Sequence, residues 1–190
     1  EEQAADDSMG SYGPRKAECD RIVFAAAERG VPATTVRPTI VYGPHDYVGR
    51  LGYWIDRVAE HDRVLVPGDG DYLLHRSYVE DVASALRTVA ERGEPGEAYN
   101  VGDRQLPTLA GTVELVADVL GRDVEVVTAG NRALAAGDLE FGDFPLVMGP
   151  QNVMSTEKLH GLGWEATPVR EAMERTVADH RERGPEAPGW

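Results

Sequence analysis

The chain has 190 residues, of which 42% are hydrophobic and 27% charged, a composition that suits a globular protein able to bury a core. Its apolar runs fall well short of the roughly 18 residues needed to span a bilayer, so no membrane partner is expected. Thirty-three acidic residues against nineteen basic ones give a formal charge of -14, which argues against a nucleic-acid partner, because affinity for phosphate backbones comes from Lys and Arg. The single cysteine, Cys19, excludes an internal disulfide or a cysteine-based zinc cluster. Together with the lack of a recognisable leader peptide, it points to a reducing, cytoplasmic setting.

Residues 1–11 are acidic and small without periodicity and read as a loop. The spacing predicts a helix over Pro14–Arg29, stopped by Gly30, and then a short buried strand over Ala33–Val36 that ends at Arg37-Pro38. A loop containing Gly43-Pro44 leads to a helix around Trp54–Glu60. A strand over Val64–Val66 follows, closed by the turn Pro67-Gly68-Asp69-Gly70. Leu73–Val79 reads as a strand, with Glu80-Asp81 capping an apolar-periodic helix through Val89. Ala98–Val101 is a strand, and Thr108 caps a helix that runs to Leu120 with Gly121 behind it. Val124–Val127 is a strand, residues 130–150 are irregular, and Ser155 and Thr167-Pro168 each open a further helix.

Strands separated by helical stretches of this length imply parallel βαβ units. The series starts in mid-fold, with a helix followed directly by a strand. No Gly-x-Gly-x-x-Gly turn opens a helix anywhere in the chain. The expectation is the carboxy-terminal part of a larger domain.

Tyr12 and Lys16 stand four residues apart at the opening of the first helix, which places them on one face. A fixed ammonium and the positive end of a helix dipole both favour a phenolate, so the pair can act as a general acid/base toward a hydroxyl or carbonyl. The plain alternative is a solvated surface pair. With only Lys16 and Lys158 as lysines, coincidence is uncommon but not negligible.

Four segments in order widen the pattern: Tyr12-Gly-Pro-Arg-Lys16-Ala-Glu, Arg37-Pro-Thr-Ile-Val-Tyr-Gly-Pro44, Tyr78-Val-Glu-Asp-Val-Ala-Ser-Ala85 and Tyr99-Asn-Val-Gly-Asp103. This series, with Leu162–Pro168 near the end, resembles the extended short-chain dehydrogenase/reductases, the NAD-dependent epimerase/dehydratase group, over about residues 8–183. The resemblance implies an α/β fold: the carboxy-terminal part of a Rossmann-type parallel sheet with a smaller α/β substrate-binding domain. Residues 1–45 would belong to the dinucleotide-binding part. Residues 46–183 would be mainly substrate domain, with segments around 74–103 returning to the sheet and 184–190 forming a tail.

By the same resemblance the cofactor is NAD or NADP, Tyr12 is the acid/base, and Lys16 holds the nicotinamide ribose. Pro38, Thr39, Ile40 and Val41 would line the nicotinamide side of the cleft, at the carboxyl end of a strand where ligands of parallel sheets sit. The implied activity is hydride transfer on a small hydroxyl or carbonyl substrate, a sugar nucleotide among the candidates. A non-catalytic, dinucleotide-sensing or structural member of the same fold is the alternative. Members of the family often dimerise through helices of this region, which leaves the oligomeric state open, a homodimer among the outcomes. Without a phosphate-cradling turn the chain alone is expected to bind dinucleotide weakly and to be inactive.

Two positions depart from the pattern of nucleotide-sugar enzymes, which often carry Asn at Ile40 and Arg at Leu74. Arg76, two residues on and so on the same strand face, could replace the missing cation, with His75 then pointing away. His45 and Asp46 follow Gly43-Pro44 at the expected cleft mouth, and His45 is a candidate substrate contact. Cys19 is expected to be buried, Asp81 to be a helix cap, and Trp54, Trp164 and Phe24 to serve the core. No metal is assigned, since the five histidines lack ligand spacing.

Overall fold

A computed structural model describes residues 9–147 and 151–184. Residues 1–8 of the expected amino-terminal loop, residues 148–150, and the tail beyond Gly184 lie outside the described residues. The chain runs α1 (Met9–Glu28), β1 (Thr35–Pro38), β2 (Ile40–Tyr42), α2 (Arg50–Glu60), β3 (Arg63–Pro67), β4 (Arg76–Tyr78), α3 (Val79–Arg92), β5 (Ala98–Val101), α4 (Leu109–Leu120), β6 (Glu125–Ala129), α5 (Asn131–Ala136), a 3₁₀ turn (Phe141–Asp143), α6 (Glu157–His160) and α7 (Val169–Arg183).

The strands form three parallel pairs. β1 lies beside β5 with Thr35 opposite Ala98 and Pro38 opposite Val101. β2 lies beside β4 with Ile40 opposite Arg76, and β3 beside β6 with Arg63 opposite Glu125. Every pair is joined through helical crossovers, as the alternation of patterns predicts.

Thr39 is the point where one strand changes partner. Its N–H donates both to the Val101 carbonyl (3.2 Å) and to Ser77 Oγ (3.0 Å), and Ser77 Oγ donates to the same carbonyl at 2.9 Å. Three strands are stitched together at one place, with β1–β5 on one side and β2–β4 on the other.

Two cores result. The larger gathers Leu51, Trp54, Ile55 and Val58 of α2 against α4, α7 and the β3–β6 pair. Trp54 is fully buried and donates its indole N–H to the Pro145 carbonyl at 3.0 Å, which satisfies the one polar atom it brings inside. The smaller core packs Ala85 and Val89 of α3 with Tyr99 and Val101 of β5 and with Leu159 and Trp164. Thr108 accepts from the Gly111 N–H at 3.1 Å and Gly121 takes φ 65°, so both ends of α4 close as predicted.

Several expectations are corrected. α1 begins at Met9, so Ser11 is helical and Pro14 sits inside the helix rather than in its first turn. The first strand is Thr35–Pro38 and only half-buried, because β5 is its sole neighbour among the described residues. β2, three residues long, is too short to show a period and went unpredicted. The Leu73–Val79 strand contracts to Arg76–Tyr78, preceded by an isolated antiparallel bridge from Leu73 to Thr108.

Part of the irregular stretch after Gly130 is α5 and the 3₁₀ turn. Asp81 does not cap its own helix. Both of its oxygens accept from Thr167, from the backbone N–H at 2.8 Å and the hydroxyl at 2.7 Å, and so tie α3 to the segment that opens α7. Cys19 is exposed, because α1 buries no side chain among the described residues. Phe24 is only half-buried, with the Arg37 guanidinium 5.9 Å from its ring centre.

Candidate active site

A cavity of about 850 Å³ opens at the carboxyl ends of β1 and β2. Pro38, Thr39, Ile40 and Val41 form one wall, and Leu73, Leu74 and His75 another. Loop residues 42–48 form the lip, and Asn152 and Met154 approach from the far side. The size falls in the range of small-molecule and cofactor sites, and the position follows from parallel strands whose carboxyl ends are left uncovered by their crossovers.

Tyr12 reaches this cavity from α1, and Lys16 stands one turn further on the same face with its ammonium 5.6 Å from the Tyr12 ring centre. Tyr12 is 54% exposed, at the mouth rather than in the depth. Arg37 holds α1 against β1 through a 2.6 Å ion pair with Asp20 on the helix.

The lip is shaped by a sharp reversal after β2. Gly43 has φ 135°, and a Cβ there would come within 2.6 Å of Val79 Cγ1 and 3.0 Å of the Tyr78 ring. Only glycine lets the loop lie this close to the start of α3. His45 follows with φ 64°, a left-handed conformation rare for a side-chain-bearing residue, held by its N–H donating to Asp179 Oδ2 at 3.0 Å. Its imidazole stays exposed at the mouth beside Tyr47, which is 80% exposed.

His75 and Arg76 exchange their expected places. His75 lines the cavity, and its Nδ1 accepts the Met154 N–H at 3.0 Å, which requires that nitrogen to be unprotonated. Burial lowers the proton affinity of this imidazole, partly offset by a backbone contact at Asp103. A Cβ at Gly102 would collide with the ring, so the close approach of β5's end fixes where His75 lies. With Gln151 accepting from the Leu73 N–H (3.2 Å) and Asn100 donating to the Ser155 carbonyl (3.0 Å), His75 pins the 151–155 segment across the cavity.

Arg76 does not line the cavity. It is wholly buried behind it, its guanidinium carbon 5.0 Å from the centre of the Tyr42 ring. Arg76 therefore cannot replace the cation absent at Leu74.

A charge cluster lies beneath the floor. Asp103 accepts the Tyr78 N–H at 3.2 Å through Oδ1, and the Tyr42 hydroxyl and the Arg76 guanidinium are buried around its carboxylate. Burial raises the Asp103 carboxyl to about 6, against the opposing pull of Arg76. Burial first, and then the Asp103 charge, push the Tyr42 phenol up. Sequence reasoning quoted Tyr99–Asp103 as a motif without reading Asp103 as a charge partner. Asn152 and Met154 gave no signal at all, since they come from a stretch without periodicity.

Comparison with known proteins agrees with this architecture. The model of the NAD dependent epimerase/dehydratase family matches residues 1–102, more than half of the chain. The chain belongs to that family. Human dTDP-D-glucose 4,6-dehydratase is 26% identical over 174 residues, covering 90% of this chain and 48% of that protein. The low-salt glycan biosynthesis protein of Haloferax volcanii is 30% identical over 157 residues, 81% of this chain and 46% of that protein. Thus the chain spans about half the length of the curated relatives it matches.

Among solved structures, UDP-glucose 4-epimerase from Thermotoga maritima with UDP-glucose superposes with a TM-score of 0.69 at 27% identity, over 90% of this chain and 53% of that one. The dTDP-glucose 4,6-dehydratase of Bacillus anthracis in complex with NAD gives 0.67 at 24%, over 94% and 53%. The fold is α/β, a Rossmann-type architecture shared with these enzymes. No described helix is long and apolar enough to cross a membrane.

Proposed function

We propose that this chain supplies the acid/base pair and the substrate cavity of an NAD(P)-dependent epimerase, dehydratase or reductase. The observation that carries the reading is Tyr12 at the mouth of the cavity, with Lys16 one turn behind it on the same helix face. The residues fit a nicotinamide: Pro38–Val41 offer a half-exposed, mainly apolar wall, and Tyr12 borders the same space. When bound, NAD or NADP supplies the acceptor or donor of a hydride.

Tyr12 then moves the matching proton to or from the substrate oxygen, and Lys16 stabilises the negative charge that develops on the phenol oxygen. Thr39, locked by Ser77 and Val101, keeps the wall in place beneath them. Residues 1–45 would serve the cofactor side, with the larger core carrying the substrate side. A non-catalytic, dinucleotide-sensing member of the fold is the competing reading, and the exposure of Tyr12 is what favours it.

Tyr12→Phe separates the two. In the active enzyme it should lower hydride turnover by roughly 10²–10⁴-fold while leaving NAD(P)H affinity unchanged. Turnover equal to that of the parent removes Tyr12 from the mechanism. The chain on its own is expected to bind NADH or NADPH weakly, and submicromolar binding would contradict that expectation.

A further inference from the structure

We infer that the cavity selects an uncharged, largely apolar hydroxyl or carbonyl compound and refuses a nucleotide diphosphate, with Ile40, Val41 and Leu74 as the specificity-determining side chains. The inference rests on the reading of this cavity as the substrate site and narrows the substrate class. Among the described lining residues the only formal charges are Arg50 and Asp46, one of each sign, so the lining carries no net charge and a single cation. The Asp46 carboxylate also sits just ahead of α2 and accepts the Val48 N–H at 2.9 Å, so the start of that helix already has an anion beside it.

Arg76 and Lys16, two cations on the elements that build the cavity, do not line it. Arg76 is sealed behind the floor against Tyr42 and Asp103, and Lys16 is outside the lining, over the Tyr12 ring. A diphosphate placed here would lose hydration without gaining the paired cations that recognise phosphate oxygens. The surrounding chain, at -14, adds a field of the wrong sign.

The walls offer something else. Ile40 and Val41 on one side, Leu73 and Leu74 on the other, and Met154 and Val79 across from them present hydrocarbon to the interior. Two of the polar groups that border the deeper walls are already engaged. Thr39 Oγ1 lies 2.7 Å from Ser77 Oγ, and His75 Nδ1 takes the Met154 N–H. A ligand with an apolar body and one oxygen directed toward Tyr12 matches this arrangement.

The test titrates the chain with two probes, 2-acetonaphthone as an uncharged ketone and UDP as a nucleotide diphosphate, followed by calorimetry and NMR without cofactor. The ketone should bind about tenfold tighter than UDP or better. Leu74→Arg should move the ratio toward UDP by about tenfold, and Val41→Lys, on the exposed part of the wall, does the same if arginine at buried Leu74 prevents folding. UDP binding as tight as the ketone, no ketone binding, or a ratio unmoved in a folded variant overturns the inference. Ketone binding in a protein whose turnover ignores Tyr12→Phe overturns the catalytic reading alone. A UDP preference together with Tyr12-dependent turnover overturns this one alone.

Discussion

Asp103→Asn should erase a pH dependence of stability whose sign is opposite to that of most carboxylates. Asp103 is 3% exposed and titrates at about 6 in the folded chain, against 3.8 for an ordinary aspartate. Between those values the folded state binds the proton and the unfolded state does not, so stability falls as pH rises. The group's contribution is fully present below about pH 3.8 and is lost as pH climbs through about 6. The difference corresponds to about 3 kcal/mol, at about 1.4 kcal/mol per tenfold change in proton affinity, a large share of a typical domain's stability. Asparagine keeps the oxygen that accepts the Tyr78 N–H and cannot titrate. Urea unfolding of parent and variant at about pH 4 and about pH 7 gives two stability differences, and any offset due to altered contacts cancels between them. The variant should gain on the parent by up to about 3 kcal/mol as pH rises across that window. A pH-independent difference, or a parent that gains on the variant, would show that attraction to Arg76 outweighs burial and would refute the argument.

Two further substitutions test the framework of the site. Gly43→Ala forces a Cβ to within 2.6 Å of Val79 Cγ1 at φ 135°, and it should cost more than about 1 kcal/mol and disturb the cavity lip, read by urea unfolding and by ligand affinity together. Thr108→Ala removes the oxygen that accepts the Gly111 N–H at 3.1 Å and should lower stability by about 0.5–2 kcal/mol, leaving the cavity's ligand affinity unchanged.

The sequence was legible wherever a local rule decides the outcome. Thr108 and Gly121 bound α4 because capping is a contest among neighbouring backbone groups. That the strands pair in parallel follows from the helical stretches between them, although which strands pair does not, since β3 reaches past β4 and β5 to lie beside β6. Tyr12 and Lys16 share a face because a helix puts them there, even though it begins at Met9 rather than near Gly13.

Rules that look only along the chain failed where tertiary partners decide. Ile40–Tyr42 is a strand because β4 lies beside it. Cys19 stays exposed because nothing among the described residues covers that side of α1.

His75 and Arg76 show the same limit at the site itself. Alternation along a strand predicts that Leu74 and Arg76 share a face, which would carry Arg76 into the cavity with Leu74. That rule holds only along one continuous strand, and β4 begins at Arg76, with Leu74 and His75 ahead of it. Freed from the alternation, Leu74 and His75 both border the cavity while Arg76, the first paired residue, turns inward to Tyr42 and Asp103. Arg76 is thereby held in the interior beneath the floor of the cavity, and Ile40, Val41 and Leu74 are left on its walls. On the substrate reading proposed for this cavity, one register position decides whether a cation reaches its wall, and that position is set by where the β2–β4 pairing starts.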